Sequence, residues 1–201
     1  MNSARYIIAL LTLVALPPGI LLWVAIHPFA RFWRRVGPGW TYAALGVPVV
    51  GMMAGVFLAR GRLLATEFGT SYPLIGLAVL CLIAAGTIMR KRRKYLTFGI
   101  LSGVPELSRK DHPGKLLTEG IYSVIRHPRY VEMLLWTFGY ALFANYLAVY
   151  IAVLLTAPML YLVVVLEERE LRDRFGLEYE EYCRTVPRFV PRRLLSREPA
   201  N

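Results

Sequence analysis

Four long stretches that are almost free of charged side chains constrain this 201-residue chain more than any other feature. A helix that crosses a membrane needs about 20 consecutive, mostly apolar residues, and each stretch reaches or approaches that length. The stretches are Tyr6–Ile26, Trp40–Ala59, Tyr72–Met89 and Val131–Leu166. The first one passes Pro17 and Pro18 without the small-residue cleavage pattern of a signal peptide, so we expect a retained, kinked first helix.

The fourth stretch is too long for one span. It covers 36 residues with a single charge, Glu132, and is locally most polar near Asn145. We therefore expect a tight helical hairpin that turns near Asn145, which brings the total to about five spans. Because no segment is left for a separate soluble core, the sequence predicts one all-α membrane domain over residues 1–201, a polytopic transmembrane helical bundle.

The basic residues indicate how the spans are oriented. The chain has 24 Lys and Arg against 13 Asp and Glu, a net charge of +11. With five spans, 21 of the basic residues fall on one side and three on the other. Lys and Arg concentrate in cytoplasmic loops, so we expect the N-terminus outside and a C-terminal helix and tail in the cytoplasm. We attribute the basicity to contact with anionic lipid rather than with nucleic acid, since no recognition helix occurs.

The first candidate site is the segment 120–130, which leads into the fourth apolar stretch. Its sequence, GIYSVIRHPRY, combines Arg126, His127 and Arg129 with two tyrosines. A basic, aromatic anchor at the membrane interface, with Pro128 starting the helix, would explain part of this composition. An anchor does not need a His-Pro pair at this position, and we therefore treat the cluster as a site.

The second candidate is the charged run that follows the last span. Most of its charges have an opposite partner four residues further on, as Glu168 has in Arg172, which predicts a solvated helix face. Glu167 differs because its neighbours four positions away, Val163 and Leu171, are apolar. A carboxylate on an apolar stripe at a membrane boundary needs a partner, so we predict that Glu167 belongs to a site.

These two segments resemble the isoprenylcysteine carboxyl methyltransferase family, which is itself similar to membrane phospholipid and thiol methyltransferases. The resemblance covers residues 115–191 in this order: Gly120-Ile121-Tyr122, Arg126-His127-Pro128-x-Tyr130, the hairpin, Glu167-Glu168, Phe175-Gly176, Tyr179, Tyr182 and Val186-Pro187. It implies an enzyme that uses S-adenosylmethionine, with its catalytic region at 115–191. The cofactor contacts that it implies are Leu117, Thr118, Glu119, Gly120, Tyr122, His127, Pro128, Arg129, Tyr130 and Glu167.

The groups of S-adenosylmethionine are compatible with these side chains. Glu167 would neutralise cationic character or accept a hydrogen bond from the adenine amino group. Arg126 or His127 would pair with the cofactor carboxylate, and a motif tyrosine would stack or lie near the sulfonium. By the same resemblance Arg126 and Glu168 are the catalytic candidates. Methyl transfer is an in-line displacement that depends chiefly on positioning and on exclusion of water.

Two positions depart from the family pattern and bear on the acceptor. Relatives carry a small residue where this chain has Glu132, and prenylcysteine-methylating members carry an arginine where it has Val163. A carboxylate acceptor needs a cation at the membrane boundary. We therefore expect a lipophilic or amphiphilic acceptor of little charge that enters from the bilayer, such as a thiol, an amine or a lipid. Glu132 and Arg184 are the candidate acceptor-binding residues.

Two other functions fit part of the pattern. Sterol-type NADPH-dependent membrane reductases have a similar C-terminal pattern, but this chain is short and shows no further motif for a cofactor phosphate. A non-enzymatic haem-binding or scaffold protein would need suitably placed ligands, whereas His27, His112 and His127 lie in separate segments. The sequence predicts no metal site.

Overall fold

The described part of the chain is built from helices, which confirms the predicted all-α class. A computed structural model describes residues 2–26, 29–95 and 116–192, so that His27 and His112 lie outside the described residues. The elements within these ranges are α1 (Asn2–Ile26), α2 (Ala30–Val36), α3 (Pro38–Leu58), α4 (Arg60–Leu63), α5 (Tyr72–Arg92), a 3-10 turn (Gly120–Ser123), α6 (Pro128–Ala144), α7 (Leu147–Phe175) and α8 (Leu177–Thr185).

The long helices form a membrane-spanning bundle. In the described ranges α1, α3, α5 and α7 are long and apolar enough to cross a membrane. Helix α6 has 17 residues, which is the lower limit for a span, and it forms a hairpin with α7. Asn145 makes the turn in the left-handed conformation (φ 58°, ψ 49°), and its Nδ2 donates to the Gly69 carbonyl at 2.9 Å. The predicted hairpin and its turning residue are thereby confirmed.

Arg5 fastens the hairpin turn to the first helix. Helix α1 begins at Asn2 rather than at Tyr6, so Arg5 lies inside it and is buried. Arg5 Nε and Nη2 donate to the Ala144 carbonyl, at 3.1 and 2.9 Å, where the end of α6 leaves carbonyls without helical partners. Its Nη1 lies 2.7 Å from a carboxylate oxygen of Glu67. This end of the bundle is therefore held together by an ion pair.

Helix α5 packs closely along α6. A Cβ added to Gly139 would lie 2.7 Å from a methyl carbon of Leu82, so a larger residue here would force Leu82 to shift. Farther along, Arg92 near the end of α5 reaches Glu132 in the first turns of α6. The end of α5, the start of α6 and the end of α7 thus lie opposite the hairpin turn, at what we call the basic end of the bundle.

The segment after α7 folds back onto the basic end. Helix α7 ends just before Gly176, as predicted, and this residue has a positive φ of 54°, which favours glycine. Helix α8 follows, and its Tyr179 and Tyr182 pack with Val186 against Leu116. The chain beyond α8 is therefore brought next to the start of α6.

Candidate functional site

Two short backbone segments, 126–127 and 187–188, are joined by hydrogen bonds at the basic end. The Arg126 N–H donates to the Pro187 carbonyl at 2.9 Å, and the His127 N–H donates to the Arg188 carbonyl at 3.1 Å. Pro128 occupies the first position of α6, where its missing N–H costs nothing, and leaves His127 at the N-cap. Side chains from two segments far apart in the sequence are thereby held beside the end of α7.

Glu168 is the centre of this site. Its side chain is 1% exposed. Arg188 binds it with two nitrogens, Nη2 at 2.6 Å from Oε2 and Nε at 3.0 Å from Oε1. Arg126 Nη2 and His127 Nε2 each lie 3.0 Å from Oε1, and Arg172 Nη2 lies 3.4 Å from Oε2. Because a charge buried this deeply is stable only with such partners, Glu168 ties both segments to α7.

The environment predicted for Glu168 is reversed in the structure. Spacing along α7 placed Glu168 on a solvated face with Arg172 and Glu167 on the buried stripe. The ion pair with Arg172 is present, but Glu168 is buried, whereas the Glu167 side chain is 34% exposed. The prediction of a solvated Glu168 is therefore wrong. The cause is the chain after α8, which brings Arg188 over this part of α7 and which helix spacing alone does not reveal.

Glu167 lies next to the same histidine. Its Oε2 is 3.7 Å from His127 Nδ1, while His127 Nε2 contacts Glu168. The distance of 3.7 Å is too long for a hydrogen bond, and this buried oxygen makes none within the described part of the chain. A buried carboxylate oxygen without a donor is a place where a bound polar group would be stabilised.

Arg126 is held by the protein itself. Its Nη1 donates to the carbonyls of Cys183 and Val186, at 3.0 and 2.6 Å, and its Nη2 pairs with Glu168. Carbonyls at a helix C-terminus lack helical partners and favour a cation. These contacts leave less of Arg126 available to a cofactor carboxylate, with which Arg126 or His127 was expected to pair. They are those of a residue that positions α8.

The 3-10 turn presents Tyr122 beside the end of α5. Gly120 has a φ of 61°, and a Cβ at this position would overlap the ring of Tyr95. That ring packs edge-on against Tyr122, with 6.5 Å between centroids, and the Tyr182 hydroxyl donates to the Tyr122 carbonyl at 2.6 Å. Burial raises the pKa of the Tyr122 phenol above its ordinary value.

The other predicted cofactor residues lie before the 3-10 turn or in the first turn of α6. Three of them are partly or fully exposed: Leu117, Thr118 and Glu119. The Arg129 guanidinium lies 4.8 Å from the centre of the Trp23 ring. Tyr130 is buried, and its ring centroid is 5.8 Å from that of His127. The structure thus brings Tyr130 and His127 together with the two glutamates.

The two residues predicted to bind the acceptor lie outside this cluster. Glu132 is buried and pairs with Arg92, whose Nε lies 2.8 Å from Oε2 and whose Nη2 lies 3.3 Å from Oε1. Arg184 is exposed on α8. Acceptor binding by Glu132 stays a prediction, and its charge is already paired with Arg92 inside the bundle.

Sequence reasoning missed Arg92 and Arg188. A signal existed for each. Arg188 directly follows the Val186-Pro187 pair of the motif. Arg92 is the last residue of α5, and the single charge of Glu132 within an apolar stretch required a cation near it.

An apolar cleft of about 450 Å³ runs between α6 and α7 and reaches the site. Its apolar part is lined by Leu134, Leu135, Phe138, Ala157, Leu160 and Val164. Tyr130, Tyr161 and Phe189 line it as well. The Tyr161 hydroxyl accepts a hydrogen bond from Arg188 Nη1 at 3.1 Å. A cation that belongs to the Glu168 cluster therefore stands beside the cleft.

A second cavity, of about 420 Å³, lies between the end of α5 and the 3-10 turn. Lys91, Lys94 and Gly120 contribute to its lining, and it shares Val131 and Phe189 with the apolar cleft. Only a thin wall of side chains therefore separates the apolar cleft from the segment that is predicted to bind the cofactor.

Comparison with known proteins supports the motif-based resemblance. The chain is 30% identical over 113 residues, 56% of its length and 57% of the relative's, to protein-S-isoprenylcysteine O-methyltransferase B of Arabidopsis thaliana. It is 35% identical over 83 residues to protein-S-isoprenylcysteine O-methyltransferase of Schizosaccharomyces pombe, covering 41% of this chain and 34% of that protein. It is 40% identical over 83 residues to cobalt-zinc-cadmium resistance protein CzcN of Cupriavidus metallidurans, covering 41% and 38%.

The chain spans 57% of the length of the first of these relatives and less of the other two. No solved structure matches. The family model for phospholipid methyltransferase matches residues 73–178, more than half of the chain, and includes the 3-10 turn, the hairpin and Glu167-Glu168. The resemblance to the isoprenylcysteine carboxyl methyltransferases is confirmed, and the chain belongs to the phospholipid methyltransferase family.

Proposed function

We propose that this protein transfers a methyl group from S-adenosylmethionine to a lipophilic or amphiphilic acceptor at the cytoplasmic face of the membrane. One observation carries the proposal: the polar cluster around Glu168 directly adjoins the apolar cleft. Tyr130 and Phe189 line the cleft, and their ring centroids lie 5.8 and 6.1 Å from that of His127. A polar donor from the aqueous side and an apolar acceptor from the bilayer would meet at this boundary.

The residues at the basic end fit the cofactor. Those that would hold it are 117–120, Tyr122, 127–130 and Glu167. The unpartnered Glu167 oxygen supports this fit, because an ammonium or amino group would supply the missing donor. When bound, S-adenosylmethionine supplies an electrophilic methyl group on a sulfonium. The chain itself contributes position, orientation and exclusion of water.

Glu168 and Arg126 act as positioning residues in this proposal. Both were catalytic candidates, but their polar groups contact protein atoms rather than open space. Glu168 holds His127 in place beside Glu167, and Arg126 holds α8 against the start of α6. The function that we assign to them is therefore to keep the contact surface of the cofactor rigid.

Arg188 changes the expectation for the charge of the acceptor. A weakly charged acceptor was expected because Val163 stands where a cation would be needed, and Val163 is indeed buried among apolar side chains. Arg188, however, lies against Tyr161 at the side of the cleft, with 5.5 Å from its guanidinium carbon to the ring centre. An acceptor with an apolar body and an anionic end would therefore find a cation at the site.

Replacing Arg188 by glutamine is expected to reduce methylation of an anionic acceptor about tenfold more than that of a neutral one, which corresponds to one charge-assisted hydrogen bond. The assay measures transfer of labelled methyl groups in proteoliposomes to a farnesylated cysteine analogue and to a long-chain thiol. The ratio of the two kcat/KM values separates acceptor charge from general damage, because Arg188 also supports Glu168.

Arg184→Ala is the matched comparison for this assay. Arg184 was the acceptor-binding candidate from the sequence, and it is exposed on α8. We expect its replacement to leave the ratio unchanged. A ratio that shifts in Arg184→Ala but not in Arg188→Gln would return the role to Arg184. If no apolar acceptor receives labelled methyl groups from S-adenosylmethionine, the proposed function is contradicted.

We further propose that the basic end faces the cytoplasm. The 21-to-3 distribution of Lys and Arg supports this orientation. In a variant with Cys81 and Cys183 replaced by alanine, an impermeant thiol reagent applied from outside is expected to label a cysteine at Gly61 and not one at Glu178. Both positions are exposed. Labelling at Glu178 with protection at Gly61 would reverse the orientation and move the site to the other face.

A further inference from the structure

The Arg92 guanidinium is fixed in place with one nitrogen unused. Its side chain is 7% exposed, and Nε and Nη2 are engaged by the Glu132 carboxylate. The guanidinium is planar and rigid, so these two contacts also fix the direction of Nη1. Nη1 is buried and makes no hydrogen bond to any residue that the structure describes. A charged donor is thus held ready without a partner.

Glu167 presents the opposite case. Its Oε2 is buried and unbonded, and the His127 nitrogen that faces it stands 3.7 Å away. The other nitrogen of that imidazole is already used by Glu168. Within the described ranges an unsatisfied anionic acceptor therefore accompanies the unsatisfied cationic donor of Arg92, and the two do not satisfy each other.

Both groups lie within electrostatic reach of Tyr122. Burial raises the pKa of the Tyr122 phenol, the Arg92 guanidinium lowers it, and the Glu167 carboxylate raises it. Tyr122 sits on the 3-10 turn whose glycine contacts Tyr95, three residues after Arg92. Arg92 pairs with Glu132 and Glu167 faces His127, and both partners belong to the first turns of α6, so the two unsatisfied groups lie at the same end of that helix.

The other unsatisfied groups in the described part of the chain lie elsewhere. They are Arg126 Nε and the Tyr179 hydroxyl. Tyr179 is packed in the cluster with Tyr182 and Val186, and Arg126 is bound to the end of α8. These two groups therefore belong to the α8 packing rather than to the region around Tyr122.

Buried polar groups of native proteins are nearly always hydrogen-bonded, so unsatisfied charged groups beside a candidate site indicate where a bound group would complete them. A ligand that satisfies a guanidinium N–H and a carboxylate oxygen together must carry both an anionic and a cationic group. The amino-acid end of S-adenosylmethionine is such a group, with a carboxylate and an ammonium on one carbon. Arg126, the cation expected from the sequence, is engaged by protein carbonyls and Glu168.

We propose that Arg92 and Glu167 together bind the amino-acid end of the methyl donor, with Arg92 Nη1 taking the carboxylate and Glu167 Oε2 taking the ammonium. This assignment rests on the proposed function and adds Arg92, with Glu132 as the residue that orients it, to the donor site. It gives the buried Arg92–Glu132 pair a function beyond packing α5 against α6.

The test is calorimetric binding of three thioethers to purified protein in detergent: S-adenosylhomocysteine, its decarboxylated analogue and its deaminated analogue. Arg92→Lys keeps a positive charge for Glu132 but loses the free guanidinium nitrogen. We expect it to weaken S-adenosylhomocysteine binding 10- to 100-fold and to leave binding of the decarboxylated analogue unchanged. Glu167→Gln should show the corresponding pattern with the deaminated analogue.

Two controls keep the outcome interpretable. Arg93→Lys changes the neighbouring, exposed arginine and should bind all three compounds as the wild type does. The double variant Arg92→Met/Glu132→Met removes both buried charges at once. It should melt near the wild-type temperature and lose only its preference for S-adenosylhomocysteine over the decarboxylated analogue.

The results separate this inference from the proposed function. If wild-type protein does not bind S-adenosylhomocysteine, the proposed function fails. If wild type binds it and Arg92→Lys binds it equally well, or loses both S-adenosylhomocysteine and the decarboxylated analogue alike, the assignment of Arg92 is overturned. Slower methyl transfer by Arg92→Lys with unchanged S-adenosylhomocysteine binding would place Arg92 at the acceptor and would also overturn it.

Discussion

Replacing Glu168 by glutamine is expected to reduce affinity for S-adenosylhomocysteine more than 100-fold and to destabilise the protein by about 3–5 kcal/mol, the range for breaking a buried ion pair. The carboxylate is 1% exposed and is surrounded by Arg126, His127, Arg172 and Arg188. A neutral amide would leave the three arginines facing one another without a counter-charge. The chain beyond α8 would then lose its anchor on α7.

Thermal unfolding in detergent and calorimetric binding measure the two effects separately. Glu178→Gln is the matched control, because Glu178 is exposed on α8 and its loss removes the same charge from the same region. A Glu168→Gln variant that melts and binds as the wild type does would show that the cluster is dispensable. The positioning role that we assign to Glu168 would then be wrong.

Replacing Glu167 by glutamine is expected to weaken S-adenosylhomocysteine binding 10- to 100-fold, about 1.4–2.7 kcal/mol at 1.36 kcal/mol per tenfold change. Its Oε2 makes no hydrogen bond among the described residues, so little folding stability should be lost with the charge. Binding should fall while the melting temperature stays within a few degrees. This combination distinguishes a ligand contact from a residue that supports the fold.

Glu170→Gln is the control for this prediction. Glu170 lies three positions further along α7. The Glu170→Gln variant should bind S-adenosylhomocysteine as the wild type does. His127→Ala should resemble Glu167→Gln in binding, because the imidazole stands between Glu167 and Glu168. A larger binding defect in Glu170→Gln than in Glu167→Gln would mean that the wrong face of α7 has been assigned to the site.

Much of the fold follows from local sequence signals. The hairpin was predictable because a stretch too long for one span contains a polar residue that tolerates the left-handed conformation, and Asn145 adopts it. The stop after α7 was predictable from Gly176 for a similar reason. The start of α1 was not, since Arg5 reads as a flanking charge until its buried partners at Ala144 and Glu67 are known.

The candidate site was predictable in its motifs but not in its contacts. Helix spacing compares a residue only with neighbours on the same helix, and it therefore assigned Glu168 to solvent. The chain after α8 reverses that environment through Arg188. The lone charge of Glu132 in an apolar stretch called for a cation, but Arg92 is 40 positions away and no local pattern identifies it as the partner. Motifs thus located the site, and tertiary packing decided which side chains remain available to a ligand.

The most direct measurement of the central claim is calorimetric titration of the purified wild-type protein with S-adenosylhomocysteine, NADPH and haem in separate experiments. The site geometry predicts saturable binding of S-adenosylhomocysteine, because the Glu167 oxygen and the Arg92 nitrogen lack partners that this compound carries. It predicts no saturable binding of the other two. Saturable binding of NADPH or haem, with no heat from S-adenosylhomocysteine, would contradict the assignment of this membrane protein as a methyltransferase that uses S-adenosylmethionine.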